Sequence, residues 1–155
     1  MIVKGIYLNG ENDLSDAFKI RRKVFVEEQG IEEEIEFDKQ DPYAIHALAY
    51  VDGKAVATGR IIYDGDTYTI GKVAVLKEER KQQYGDFIMR MLIDKAFLHG
   101  AEEVILDSQA SSVGFYEKLG FEKCGKIFEK AGIVQLPMKL RKGALCRKCS
   151  CRTEE

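Results

Sequence analysis

"IGKVAVLKEERKQQYGDFIMRMLIDKAFLHGAEEVILD", residues 70–107, is the stretch on which the fold turns. Its two ends, "GKVAV" and "EVILD", are short apolar runs with β-branched residues, as buried strands are. Between them the chain opens with charge and continues as a broad apolar helix from about Asp86 to Leu98. A strand joined to the next strand through a helix makes a crossover, and crossovers join parallel neighbours. One parallel pair is expected here.

Upstream, the signals change to hairpins. "AIHALAYV" and "KAVATGRIIY" are separated by Asp52-Gly53, a strong two-residue turn signal, and "TYTIGKVAV" follows a second turn at "DGD". Three strands in succession read as an antiparallel meander. "IVKGIYL" reads as an opening strand. "LSDAFKIRRKVFVEEQGI" spaces Leu14, Phe18, Val24 and Phe25 for an amphipathic helix, with Asp13 or Ser15 as cap and Gly30 as stop. "EEEIEFDKQDP" is acidic and turn-prone, and is expected to be a solvated loop.

Downstream, "SSVGFYEKLG" is a short helix. Gly120 can take the left-handed C-terminal conformation, with Phe121 packing back. "FEKCGKIFEK" and "IVQLPMKL" make a final antiparallel pair. The class is α/β: a mixed, mostly antiparallel twisted sheet flanked by helices, with one parallel βαβ crossover.

The bulk properties exclude several functions. The chain has 155 residues, 45% hydrophobic and 32% charged, which suits one domain with a real core. A net charge of −2 offers no basic field for nucleic acid. No apolar run approaches the roughly 20 residues of a membrane span. "MIVKGIYLNGEND" lacks a signal peptide's apolar stretch, so a cytoplasmic location is expected. Residues 1–141 are expected to form the catalytic domain and 142–155 a tail. Cys146, Cys149 and Cys151 crowd that tail as "CRKCSC", while Cys124 lies in the body. Their C-x2-C-x-C spacing could supply thiolates to zinc or an iron–sulfur cluster, yet three ligands so close do not easily complete a tetrahedron. No metal is expected, and the tail is read as thiol-bearing chain.

The junction between "GKVAV" and the long helix is the first candidate site. Unpaired N–H groups at a helix start, with a positive dipole end, can hold a phosphate, and Arg80 and Lys81 add charge beside them. The glycines of a P-loop or dinucleotide fingerprint are absent. The second candidate is Tyr116, which projects to the side of the face shared by Phe115 and Leu119. It reads as a packing residue or as a hydroxyl held at a reaction centre.

With these motifs in this order, the chain resembles the GNAT superfamily of N-acetyltransferases over roughly residues 1–140. The family's "R-x-x-G-x-G/A" pyrophosphate motif falls on "RKQQYG", Arg80 to Gly85, and "VGFYEKLGF" is similar to the family's ending. "RRKVFVEEQGI…EFDKQD…HALAY" looks like the signature of a small bacterial subgroup of uncharacterised acetyltransferases. The resemblance implies acetyl transfer from acetyl-CoA to an amine, a small molecule or peptide, in a ternary complex. It implies coenzyme contacts from Val73, Ala74 and Val75 on a splayed strand. Arg80, Lys81, Gln82, Gln83, Tyr84, Gly85 and Asp86 on the turn, and Gln109 beyond it, complete that set. Tyr116 would be the acid that protonates the departing thiolate. Glu28 and His46 are acceptor-side candidates, beside the readings of surface charge and structural histidine. Gln83 stands where the first motif glycine belongs, so its backbone is expected in helical or β space. Gln135 stands where the subgroup has a histidine. The rival reading is a non-catalytic acyl-CoA sensor. A monomer or homodimer is expected.

Overall fold

A computed structural model describes residues 1–146 of the chain. Strand β1 (Val3–Leu8) is followed by helix α1 (Ser15–Arg21), which continues as a π-helical segment, Arg22–Glu28. A one-turn helix α2 (Glu33–Glu36) precedes the meander β2 (Ala44–Val51), β3 (Lys54–Asp64) and β4 (Thr67–Val75). Helix α3 (Tyr84–Leu98) leads to β5 (Glu103–Gln109), and α4 (Val113–Leu119) to β6 (Glu122–Lys123), β7 (Phe128–Lys130) and β8 (Ile133–Arg141).

The sheet runs β1-β2-β3-β4-β5-β8-β6, with β7 also paired to β8. Every neighbouring pair is antiparallel except β4 and β5, which the α3 crossover joins in parallel. The Asp52-Gly53 hairpin has both turn residues at positive φ, 48° and 85°, which suits the twist of the flanking strands.

Both faces of the sheet are covered, so alternate residues of one strand feed different cores. Ala47 and Ala49 pack under α3 with Ile88, Leu92 and Ile93. Leu48, between them, packs on the other face with Ala17, Ile20, Val24 and Phe25. Val73 and Val75 likewise join the α3 side, and Ala74 and Leu76 the α1 side. Helix α3 sits so close to β3 that a Cβ at Gly59 would lie 2.9 Å from both Ile88 Cγ2 and Leu92 Cδ1.

Two expectations need correction. The acidic stretch "EEEIEFDKQDP" is no simple solvated loop: it contains α2, and Glu36 and Asp41 are buried. Both acids are neutralised by arginines distant in sequence. Arg21 reaches Glu36 (2.9 Å) and Asp41 (2.7 Å), and Arg60 reaches Asp41 (2.9 Å) and Asp38 (2.7 Å). Nor is Gln83 in helical or β space. Its φ is 70°, in the left-handed region, because the chain must reverse sharply between Arg80 and the first turn of α3. The body also extends past β8. The Cys146 N–H donates to the Leu119 carbonyl (2.8 Å), Arg90 donates to the Cys146 carbonyl (2.7 Å), and Leu145 packs against the core. Cys149 and Cys151 lie outside the described residues.

Candidate active site

Parallel pairing between β4 and β5 is confined to Thr69↔Ile105. Beyond it a cleft of about 1210 Å³ opens, with Ile70–Val75 on one wall and Leu106, Asp107 and Gln109 on the other. The splay leaves the β5-facing backbone of Val73 and Val75 without a strand neighbour, while Ala74 pairs with Thr58 and the Val75 carbonyl accepts from Arg80 Nε. Its cause is an irregularity in β4. Thr58 faces Ala74 and Arg60 faces Gly71, so two residues, Lys72 and Val73, oppose the single Gly59. Lys72 carries the distortion at φ 53°.

The floor of the cleft at its α3 end is the turn read as a phosphate site. Lys81 and Gln83 both have positive φ, 68° and 70°. Left-handed residues in a turn gather successive N–H groups into a concave nest. Among the described residues no side-chain cap hydrogen bond closes the start of α3. At Gly85 an added Cβ would meet only Phe115 at 3.5 Å and Val75 at 3.6 Å, so protein packing leaves it room. The glycine keeps that space open between β4 and α4. These features fit a diphosphate. Arg80, Lys81, Gln83, Tyr84, Gly85 and Asp86 line the cleft; Gln82 is exposed and is not among its lining residues.

Two charged residues of this turn are engaged within the protein. Arg80 grips Glu28 with both guanidinium nitrogens, at 2.6 and 2.7 Å, and its Nε donates to the Val75 carbonyl at 3.0 Å. It therefore ties the turn to the end of the π-helical segment and to the end of β4. The pair pulls Glu28 below the usual carboxylate range, chiefly through the hydrogen bonds from Arg80. Asp86 is buried against Arg90, 2.8 Å away, one helical turn on. Its charge is thereby balanced within the helix.

Tyr116 and Gln109 stand on the opposite wall. The end of α4 fixes the tyrosine. Gly120 is left-handed at φ 114°, its N–H donates to Glu117, and the Phe121 N–H reaches back to Tyr116. That hydrogen-bond pair is a Schellman cap. The tyrosine ring meets Phe115 and Phe121 edge-on, with centroids 5.0 and 5.8 Å away. Burial among these rings pushes its hydroxyl up to about 12. Gln109 Nε2 donates to Gln29 Oε1 at 2.9 Å, which joins the π-helical segment to β5.

The two acceptor-side candidates lie elsewhere. Glu28 is spent on Arg80 and does not line the cleft. His46 is 1% exposed, with Nε2 3.1 Å from the Asp41 carbonyl, and does not line it either. Burial lowers the His46 pKa below its ordinary value, opposed by the Asp41 contacts. The ring is therefore neutral and donates from Nε2.

Sequence reasoning missed Glu36, Asp38, Arg60 and Lys72, which together line the far end of the cleft. They join Arg21 and Asp41 in one ionic network, in which Lys72 Nζ lies 3.2 Å from Glu36 Oε1. Burial pushes the Asp38 carboxyl up, but hydrogen bonds and charge from Arg60 outweigh it, and the net value is about 2. The acids were visible as part of "EFDKQD". Their partners, contributed by α1, β3 and β4, carried no local signal.

The model of the acetyltransferase (GNAT) domain matches residues 13–142. The uncharacterised N-acetyltransferase YjcF of Bacillus subtilis is 34% identical over 137 residues, 88% of this chain and 98% of that protein. Among solved structures, ElaA of Escherichia coli superposes with a TM-score of 0.81 at 24% identity, covering 90% of this chain and 100% of that one. A GNAT family acetyltransferase from Elizabethkingia anophelis, solved with acetyl-CoA bound, gives 0.69 at 14% identity, covering 90% and 97%.

Proposed function

The chain belongs to the GNAT acetyltransferase family, and from that premise we propose that it moves the acetyl group of acetyl-CoA directly onto a primary amine. The observation that carries this reading is the splay of β4 from β5, opening onto the Lys81–Asp86 turn at one end with Tyr116 on the far wall. Acetyl-CoA would supply the acyl group as a thioester. The amides of residues 81–86 and the start of α3 would hold its diphosphate, and the free edge of Val73, Ala74 and Val75 its pantetheine arm. The Elizabethkingia acetyltransferase of similar fold was solved with acetyl-CoA bound, which supports the same use of this cleft.

A backbone N–H from the Val73–Val75 edge would face the thioester oxygen as charge develops there. Tyr116 would give its proton to the leaving sulfur. A hydroxyl held at about 12 stays protonated throughout the neutral range, so it is present in the acid form whenever the thiolate departs. The acceptor would enter from the end lined by Val24, Phe25, Ile31, Ile35, Asp38 and Lys72. Its apolar wall suits an amine with a hydrocarbon body. A hydroxyl positioned in the cleft wall supports an enzyme over a passive acyl-CoA sensor.

Calorimetry tests the donor. Acetyl-CoA is expected to bind at least about 10-fold more tightly than acetylpantetheine, which lacks the diphosphate and its charge-assisted hydrogen bonds. Equal affinities would remove the turn from the site. Thiol release with a panel of small amines and peptides then tests transfer. Acetyl-CoA binding without thiol release for any amine would return the sensor reading.

A further inference from the structure

In the ionic network at the acceptor end both arginines are buried, Arg60 Nε having no hydrogen-bond partner among the described residues, and one cation is partly exposed to the cleft. Arg21 is 1% exposed, and its guanidinium is shared between the Glu36 and Asp41 carboxylates. Arg60 is 5% exposed and is held by Asp38 and Asp41. Glu36 has both oxygens engaged, one by Arg21 Nε and the other by Lys72 Nζ. Lys72 is different. Its side chain keeps 20% of its surface, lines the cleft, and uses one of its three donors on Glu36.

Its position is also unusual. Lys72 is the residue of the β4 irregularity that takes a left-handed backbone, φ 53°. Such a conformation is disfavoured for a side-chain-bearing residue, and strain of this kind clusters at working sites. The distortion immediately precedes Val73–Val75, the part of β4 that β5 does not pair. It also places the lysine between the acyl cleft and the acceptor pocket. Of the three cations in the network, only a lysine can give up its proton near neutrality; arginine cannot.

We propose that Lys72 is the general base of the transfer, held at the junction of acyl cleft and acceptor pocket by Glu36. The inference rests on the acetyltransferase reading of the same cleft. Lys72 in its neutral form takes one proton from the acceptor's ammonium. The freed lone pair forms the new N–C bond as the C–S bond of the thioester breaks. The sulfur leaves with the proton of Tyr116, and the second proton shed by the nitrogen restores that hydroxyl. Lys72 then loses its proton to water through its exposed side. The surroundings favour this cycle. Burial and the Arg60 charge from β3 disfavour the ammonium, while Glu36 from α2 and Asp38 from the loop after it favour it, and the balance lies below the ordinary lysine value. Arg21 and Asp41, behind Glu36, compensate one another at 2.7 Å. Apolar walls from Val24, Phe25, Ile31 and Ile35 keep the site's dielectric low.

The test uses Lys72→Arg, which keeps a cation for Glu36 and cannot deprotonate. First, the intact protein carrying 13Cε-labelled lysine is titrated by NMR, with Lys72 assigned as the resonance lost in the variant. A midpoint well below those of the remaining lysines is expected; one among them overturns the proposal. Second, acetyl-CoA turnover is compared for phenethylamine, an ammonium at about pH 7.5, and hydroxylamine, already neutral there. In the variant the phenethylamine-to-hydroxylamine rate ratio should fall at least about 100-fold, the scale of a lost general base. An unchanged ratio, or both rates falling together, assigns Lys72 a structural role only. Failure of acetyl-CoA to bind the parent would sink the transferase reading and this proposal with it, whereas an ordinary NMR midpoint with acetyl-CoA binding intact overturns the role of Lys72 alone.

Discussion

At the scale of single residues, Tyr116 and Gln83 show how much a side chain owes to the backbone that carries it. The Schellman cap at Gly120 fixes the last turn of α4, so Tyr116 sits in the cleft wall by construction. Tyr116→Phe keeps the ring contacts to Phe115 and Phe121 and deletes the hydroxyl alone. The expected result is a fall in kcat of about 10²–10⁴, with acetyl-CoA affinity and melting temperature near those of the parent. An unchanged kcat, measured where chemistry limits the rate, would make the helix a packing motif. Because the phenol ionises only at about 12, the alkaline limb of the parent's pH–rate profile should arise from another group. Gln83 carries the opposite kind of cost. Its left-handed backbone disfavours an L-residue by about 1–2 kcal/mol, against roughly 0.4–1 kcal/mol of unfolded-chain entropy that a glycine would add. The first effect is larger, so Gln83→Gly should raise the melting temperature by about 1–3 °C. A lower value would mean that the glutamine side chain more than compensates its strain.

At the scale of elements, the ties between them matter more than their boundaries. The π-helical segment ends in two contacts, Glu28 to Arg80 on the turn before α3 and Gln29 to Gln109 on β5. They link that segment to both walls of the cleft. Arg80, read from the motif as a cation for phosphate, has its guanidinium occupied by Glu28 and Val75. The two roles give opposite outcomes for Glu28→Ala. If Arg80 acts by holding the turn, acetyl-CoA binding should weaken about 10-fold, and Arg80→Ala should do the same without adding to it. If Arg80 instead serves phosphate, freeing it would tighten binding. What was legible here follows from range. The Asp52-Gly53 hairpin and the Gly120 cap are set by neighbours in sequence, so they could be read. The π turns could not, since a few apolar positions on one face fit either kind of helix. The acidic stretch was misread because its arginines sit 15 to 20 positions away, Arg21 for Glu36 and Asp41 and Arg60 for Asp41.

At the scale of the whole molecule, the crossover and the meander were readable because hydrophobic period and turn residues act together over long spans. The cleft was not, since it is defined by pairing that stops after Thr69↔Ile105. The end of the body was also obscure, because one apolar side chain, Leu145, and the backbone of Cys146 dock it, and neither makes a sequence pattern. Truncation after Cys146 should therefore leave the melting temperature within about 2 °C, while truncation after Arg141 should lower it by about 5 °C or more. Equal values would show that those contacts contribute nothing. Stability against pH reads the same molecule through its buried network. His46 has a folded pKa below its ordinary 6.5, so the unfolded chain takes up the proton first as pH falls. Its effect is absent above 6.5 and becomes a loss of stability below it, continuing down to the folded value. Asp38, lowered from 3.8 to about 2, contributes fully above 3.8, and that contribution disappears as pH falls toward 2. The parent should therefore lose stability in two stages, beginning near pH 6.5 and again below about pH 4. His46→Gln should be less stable throughout, yet flat across the first stage and unchanged in the second. Urea unfolding at a series of pH values measures both. A parent whose unfolding free energy is level from about pH 6.5 to 5 would mean that His46 accepts a proton in the folded protein as readily as in the unfolded chain. The buried network would then have to accommodate another positive charge beside Arg21, Arg60 and Lys72.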